Sequence, residues 1–139
     1  MSDIPIRAIF LQTDLSTNNL MIQLANNETK TGLWQICVKD IAISFKEDHN
    51  QIGQIECNLV KDLKVNINNA QVQSYNPAIC TFLIKGKLDE KKIFQFDKCW
   101  FQINAPNTEI KLNIRDAETK ILITGQTTFF ITILIQRIK

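Results

Sequence analysis

The sequence predicts an all-β fold: a two-sheet antiparallel β-sandwich, jelly-roll-like, with about eight to ten strands. Three observations carry this. Apolar and polar residues alternate with period two from one end of the chain to the other. Clusters of Asn, Asp, Gly and Pro break the alternation roughly every eight to twelve residues. No stretch holds apolar residues at the i, i+3, i+4, i+7 spacing of an amphipathic helix for three turns. A closed barrel is the runner-up architecture.

Taken in order, Ile4 to Ala8 opens one strand and Leu20 to Leu24 makes a second. Trp34, Ile36 and Val38 share a face of the third, which continues through Ile41, Ile43 and Phe45 after a phase slip near Asp40. Such a slip predicts a bulge or bend. Ile55, Cys57 and Leu59 alternate with Glu56 and Asn58, and Leu63, Val65 and Ile67 with Lys64 and Asn66. Cys80, Phe82 and Ile84 alternate with Thr81, Leu83 and Lys85; Ile93 to Phe96 and Trp100 to Ile103 follow. Ile110, Leu112 and Ile114 alternate with Lys111, Asn113 and Arg115, a short strand is expected at Lys120 to Ile123, and Phe129 to Ile138 closes the chain. The intervening turns read as Ser16–Asn19, Asp48–Asn50, Asn76-Pro77, Gly86–Asp89 and Asp116–Glu118, among others.

The length, 139 residues, suits one domain over 1–139 with a core of its own. Twenty-two Ile and 8 Phe against 4 Gly and 3 Pro argue against disorder. The longest apolar run, Phe129 to Ile135, contains Thr132 and falls far short of the about 20 residues of a spanning helix, so no membrane insertion is expected. The opening Met-Ser-Asp-Ile-Pro-Ile-Arg lacks the pattern of a signal peptide, so synthesis in the cytoplasm is expected. A net charge of +2, with no basic cluster denser than Lys85-Gly86-Lys87 or Lys91-Lys92, gives no reason to expect nucleic acid as a partner. Ile and Asn codons are AT-rich; 22 Ile and 13 Asn against 7 Ala suggest an AT-rich genome.

Catalytic sets are poorly stocked. Cys37, Cys57, Cys80 and Cys99 stand 20, 23 and 19 residues apart, without the close pairs that metal and redox sites use, and read as small buried thiols. His49, the single histidine, sits in the polar run Lys46 to Asn50 and reads as a solvated loop tip. Asp40, Asp89, Asp97 and Asp116 could gather as calcium ligands of a docking module, but no spacing demands it. There is no nucleophile elbow, zinc-helix motif or phosphate loop. No enzyme, cofactor or metal is expected. Trp34 and Trp100 form a possible sugar-stacking platform, the alternative being that they are core.

The last strand is the most informative. Phe129, Ile131, Ile133 and Ile135 face one way; Phe130, Thr132 and Leu134 face the other. A strand apolar on both faces must be covered on both, by its own chain or by a subunit. Phe129, Phe130, Ile131, Ile133, Leu134 and Ile135 are therefore expected at or near a homo-oligomer interface, the alternative being a central strand covered within the chain.

The tail Glu109 to Lys120, a strand ending in Asp116 followed by a polar loop and the long apolar closing strand, resembles the closing hairpin of small β-sandwich virion proteins of DNA viruses and of Polinton or virophage-like elements. The resemblance covers about the last thirty residues and implies a structural module, often trimeric, that decorates or cements a capsid. The expected function is thus a non-enzymatic virion component (spike, penton-type or cement protein) with copies of itself and possible capsid proteins as partners. The alternative is a monomeric ligand-binding sandwich, lectin-like or calcium-dependent.

Overall fold

The computed structural model describes residues 5–22, 32–60, 78–103 and 109–138. Among them lie nine strands and no helix: β1 (Ile6–Asp14), β2 (Leu20–Ile22), β3 (Trp34–Ser44), β4 (His49–Cys57), β5 (Ala78–Gly86), β6 (Lys91–Gln95), β7 (Phe101–Ile103), β8 (Ile110–Asp116) and β9 (Thr128–Arg137). One sheet has the order β1-β9-β3-β6, with the short β7 also on β3; the other has the order β2-β8-β4-β5. Every pair is antiparallel.

The topology follows from one long antiparallel ribbon. β1 pairs with β9, β2 with β8, β3 with β6 and β4 with β5. Folding that ribbon over sends successive pairs to opposite sheets, which is a jelly roll. The two sheets form a sandwich rather than a closed barrel.

Alternation decides which side chains lie between the sheets. Ile36, Ile41 and Ile43 of β3 and Phe129, Ile131, Ile133 and Ile135 of β9 meet Ile55 of β4, Phe82 and Ile84 of β5, and Ile110, Leu112 and Ile114 of β8. Phe82 and Phe129 join the two layers edge-on, with ring centroids 6.2 Å apart. The phase slip of β3 is a bulge: its register on β9 shifts between Val38 and Asp40, which keeps Ile41 and Ile43 inward after Val38.

Turns are held by short polar side chains. Asp14 Oδ1 accepts from the N–H groups of Ser16 (3.1 Å) and Thr17 (3.2 Å). Asp116 Oδ1 does the same for Glu118 and Thr119, both at 2.9 Å. Asn18, buried and at positive φ, acts as a plug: its amide donates to the carbonyls of Ile114 and Ile123 and its Oδ1 accepts from the Ile114 N–H. Those three bonds tie the β1–β2 turn to β8 and to the connection after it.

Several boundaries differ from the sequence expectation. β1 runs on to Asp14 because Phe10, Leu11 and Gln12 keep pairing with β9. β4 begins at His49, well before Ile55. Its polar start pairs with β5, and Gly53 leaves the space that Ile84 fills; a Cβ there would lie 2.4 Å from Ile84 Cδ1. Leu59 lies beyond the end of β4. The stretch Lys120 to Ile123 is not a strand, and only Leu122 bridges, to Arg115. The expected Leu63 to Ile67 strand, the Asn76-Pro77 turn and the ends of the first two expected strands lie outside the described residues.

Candidate functional site

The outer face of the larger sheet is where the molecule departs from a simple sandwich. Register places Gln12 of β1, Phe130 of β9, Ala42 of β3 and Ile93 of β6 in one row across four strands. The neighbouring row is Phe10, Thr132, Asp40 and Gln95. Phe10 is 78% exposed, Ile93 73% and Phe130 43%. A shallow groove of about 280 Å³ runs between Phe10, Ala42, Asp40 and Phe130. The solvent face of an antiparallel sheet is ordinarily polar; a contiguous apolar band marks an interaction surface.

The strand that the sequence singled out is thereby divided. Phe129, Ile131, Ile133 and Ile135 fill the core between the sheets. Phe130 and Leu134 point to the outer face, Phe130 open and Leu134 buried beside Cys37, its register partner on β3. β9 is also a central strand, flanked by β1 and β3. Only Phe130 of the six predicted interface residues therefore offers substantial surface to a second molecule. Phe10 lies beyond the Ala8 end of the expected first strand, and Ile93 is a lone apolar residue on the face it shares with Gln95, opposite Phe94 and Phe96, so neither stands out in the alternation.

The two tryptophans do not form a platform. Trp34 is 2% exposed and belongs to the core, with no ring face open for stacking. Trp100 is half-buried just before β7.

His49 is not the solvated loop tip that the sequence suggests. Its side chain is 8% exposed. It heads β4 opposite Gly86 and packs against the ring of Phe45. Nε2 lies 3.1 Å from both Glu47 Oε1 and Thr127 Oγ1, and the Gln51 amide nitrogen lies 3.2 Å from Nδ1. The Gln51 amide thus faces one ring nitrogen and the two oxygens face the other. A nucleophile relay uses the two ring nitrogens separately, one for the carboxylate and one for the hydroxyl. Here both oxygens crowd one nitrogen, so the trio is a clasp joining the β3–β4 turn to the start of β9. Burial raises the Glu47 carboxyl. The Thr127 N–H, the His49 ring and the Gln126 N–H outweigh it and hold the group below the ordinary carboxylate value. A cleft of about 480 Å³ opens beside this clasp and is lined by Lys85, Lys87 and Lys92 but also by Asp48 and Glu90. Two carboxylates offset two of the three lysines there, which leaves one net positive charge and no pronounced preference for an anion.

The outer face of the smaller sheet hides an ion pair that sequence reasoning took for solvated polar positions. Glu56, 1% exposed, accepts from Arg115 Nε at 2.7 Å. Arg115 also donates to the Lys120 carbonyl, and Lys120 Nζ reaches Gln54 Oε1 at 3.1 Å. This network pins the β8–β9 connection to the sheet. Its signal in the sequence is nil, because the partners are 59 residues apart.

The four thiols are free: Cys37 and Cys57 buried, Cys80 intermediate and Cys99 exposed, the last a departure from the expected buried set. Burial pushes the Cys80 thiol up to about 11, and the neighbouring Cys99 adds to the shift. Asp40 lies on the larger sheet and Asp116 on the smaller, so the four aspartates do not gather. Among the described residues no cluster of His, Cys, Asp or Glu is placed to hold a metal ion. Comparison with known proteins finds no matching family model, no matching curated protein and no matching solved structure.

Proposed function

We propose that this protein is a non-enzymatic assembly module, a jelly-roll domain that works by burying the outer face of its larger sheet against copies of itself. The observation that carries this reading is the apolar band of Phe10, Phe130, Ala42 and Ile93 across four strands. Burying a large apolar side chain that would otherwise stay in water is worth about 1.5–3 kcal/mol. Three such side chains supply a driving force for association that a solitary domain forfeits. The resemblance of the closing hairpin to small virion proteins extends the reading to a virion component: a spike, penton-type or cement protein contacting a capsid. The jelly roll is common to capsid and lectin domains and does not choose between them. The loss of Trp34 to the core removes the main support for a sugar-binding alternative.

The test is solution mass by light scattering after size exclusion, over a hundredfold range of concentration. A mass above that of one chain is expected, and Phe10→Asp should return it to one chain without unfolding, since Phe10 is exposed. Ile133→Asp is unsuited to this purpose because Ile133 is core and its loss unfolds the domain. A wild-type chain that stays single across the whole range overturns the reading.

A further inference from the structure

We propose that β1, the edge of the larger sheet, pairs antiparallel with β1 of a second copy about a two-fold axis at Phe10, so that two sheets run on as one. The inference rests on the assembly reading and names the contact that joins the first two copies.

Natural sheets guard their edges with charge, proline, bulges or brevity. β6 is guarded: it has five residues, two of them Lys91 and Lys92. β5 carries Lys85, and its inward residues Ile79, Phe82 and Ile84 are already 5% exposed or less, leaving little to gain. β1 is less guarded: its two charged residues, Arg7 and Asp14, stand near its ends and leave its middle open. It spans nine residues, pairs with β9 at all nine without a register shift, and holds no charge, proline or glycine from Ala8 to Thr13. Among the described residues no strand pairs with its other side. Its packing is also unfinished on both faces: inward Ile9 and Leu11 are only half-buried, while outward Phe10 is 78% exposed and Ile6 43%.

The strand is complementary to itself. A two-fold antiparallel ladder must match residues whose side chains share a face. Centring it on Phe10 is the one register that uses all of Ile6–Asp14. It sets Phe10 against its own copy, Ala8 against Gln12, Ile9 against Leu11, Arg7 against Thr13 and Ile6 against Asp14. No like charges oppose, and the charged residues Arg7 and Asp14 lie only at the ends of the ladder. The pairing also makes the two apolar bands one, with Ile93, Ala42, Phe130 and Phe10 running into the same four of the second copy. That self-match is why the occupant is a second copy. It also replaces the trimer implied by the resemblance with a two-fold pair as the unit of assembly.

The experiment is disulfide trapping in a Cys99→Ser background, which removes the exposed thiol. Directly opposed strand residues have Cα atoms about 4.5–5.5 Å apart, within disulfide reach. Phe10→Cys should therefore convert under mild oxidant to a covalent species of twice the chain mass on a non-reducing gel. Gln12→Cys, offset from its own copy by about 14 Å along the ladder, should stay single, as should Ile93→Cys. If Gln12→Cys links as readily as Phe10→Cys, the links are collisional and the edge pairing falls. If Ile93→Cys links and Phe10→Cys does not, copies stack face to face: the edge pairing falls and the assembly reading stands. If none links and the Cys99→Ser parent has the mass of one chain, both fall.

Discussion

At the scale of single residues, the informative groups are those whose surroundings contradict their chemistry. Glu56 is a carboxylate with 1% exposure that accepts a hydrogen bond from Arg115 Nε at 2.7 Å. Removing one member of such a pair leaves the other buried and uncompensated. Cys80 is the converse, a thiol kept neutral by burial. Its folded pKa stands at about 11 against an ordinary 9.0. A raised folded value means that the unfolded chain ionises first as pH climbs. The stabilisation is present below about pH 9 and is lost as pH rises toward 11. Denaturant melts from pH 8 to 11 should therefore show a falling midpoint in the wild type, and Cys80→Ala should flatten that fall. An unchanged slope in the variant would mean that other groups cause it.

At the scale of elements, the close approach of the β5–β6 hairpin to the core depends on one missing side chain. A Cβ on Gly86 would lie 2.5 to 2.8 Å from three atoms of the Phe45 ring. Phe45 cannot retreat, being fully buried and held by backbone bonds from its N–H to the Glu90 carbonyl and from the Asp89 N–H to its own carbonyl. Gly86→Ala should cost about 1–3 kcal/mol, the range for overpacking, read as a lower midpoint in chemical denaturation at unchanged slope. The clasp of Glu47, His49 and Thr127 would loosen with it, because His49 sits opposite Gly86 and against Phe45.

At the scale of the whole molecule, the two outer faces differ in degree. The smaller sheet carries the Glu56, Arg115 and Lys120 network and leaves Met21, Ile52 and Leu83 each less than half exposed. The larger sheet leaves Phe10 and Ile93 more than 70% exposed and Phe130 open beside them, and among the described residues no strand covers the β1 edge. Association that buries this surface stabilises the fold by mass action. The melting temperature of the wild type should therefore climb with protein concentration, and that of Phe10→Asp should not. Calorimetry at several concentrations would check it, and a concentration-independent wild type would count against assembly.

Much of the fold was legible because alternation is a local property. The two faces of β8, the bulge near Asp40 and the inward set of β9 can each be read within a dozen residues. The start of β4 was not, since His49, Asn50, Gln51 and Gly53 look like a loop until β5 lies beside them. The candidate surface was half legible. Apolar residues on both faces of β9 announced that it needs two covers, but which face stays open depends on which strands flank it. By itself the sequence determined the class of fold, the strand phases and the absence of a local catalytic motif, because these rest on neighbours in the chain. Only the tertiary structure decided that His49 is buried, that Glu56 is paired and that Phe10, Phe130 and Ile93 line up. Those facts depend on contacts between residues far apart in the chain, 78 positions for His49 and Thr127 and 59 for Glu56 and Arg115, and no local pattern encodes which distant strand arrives.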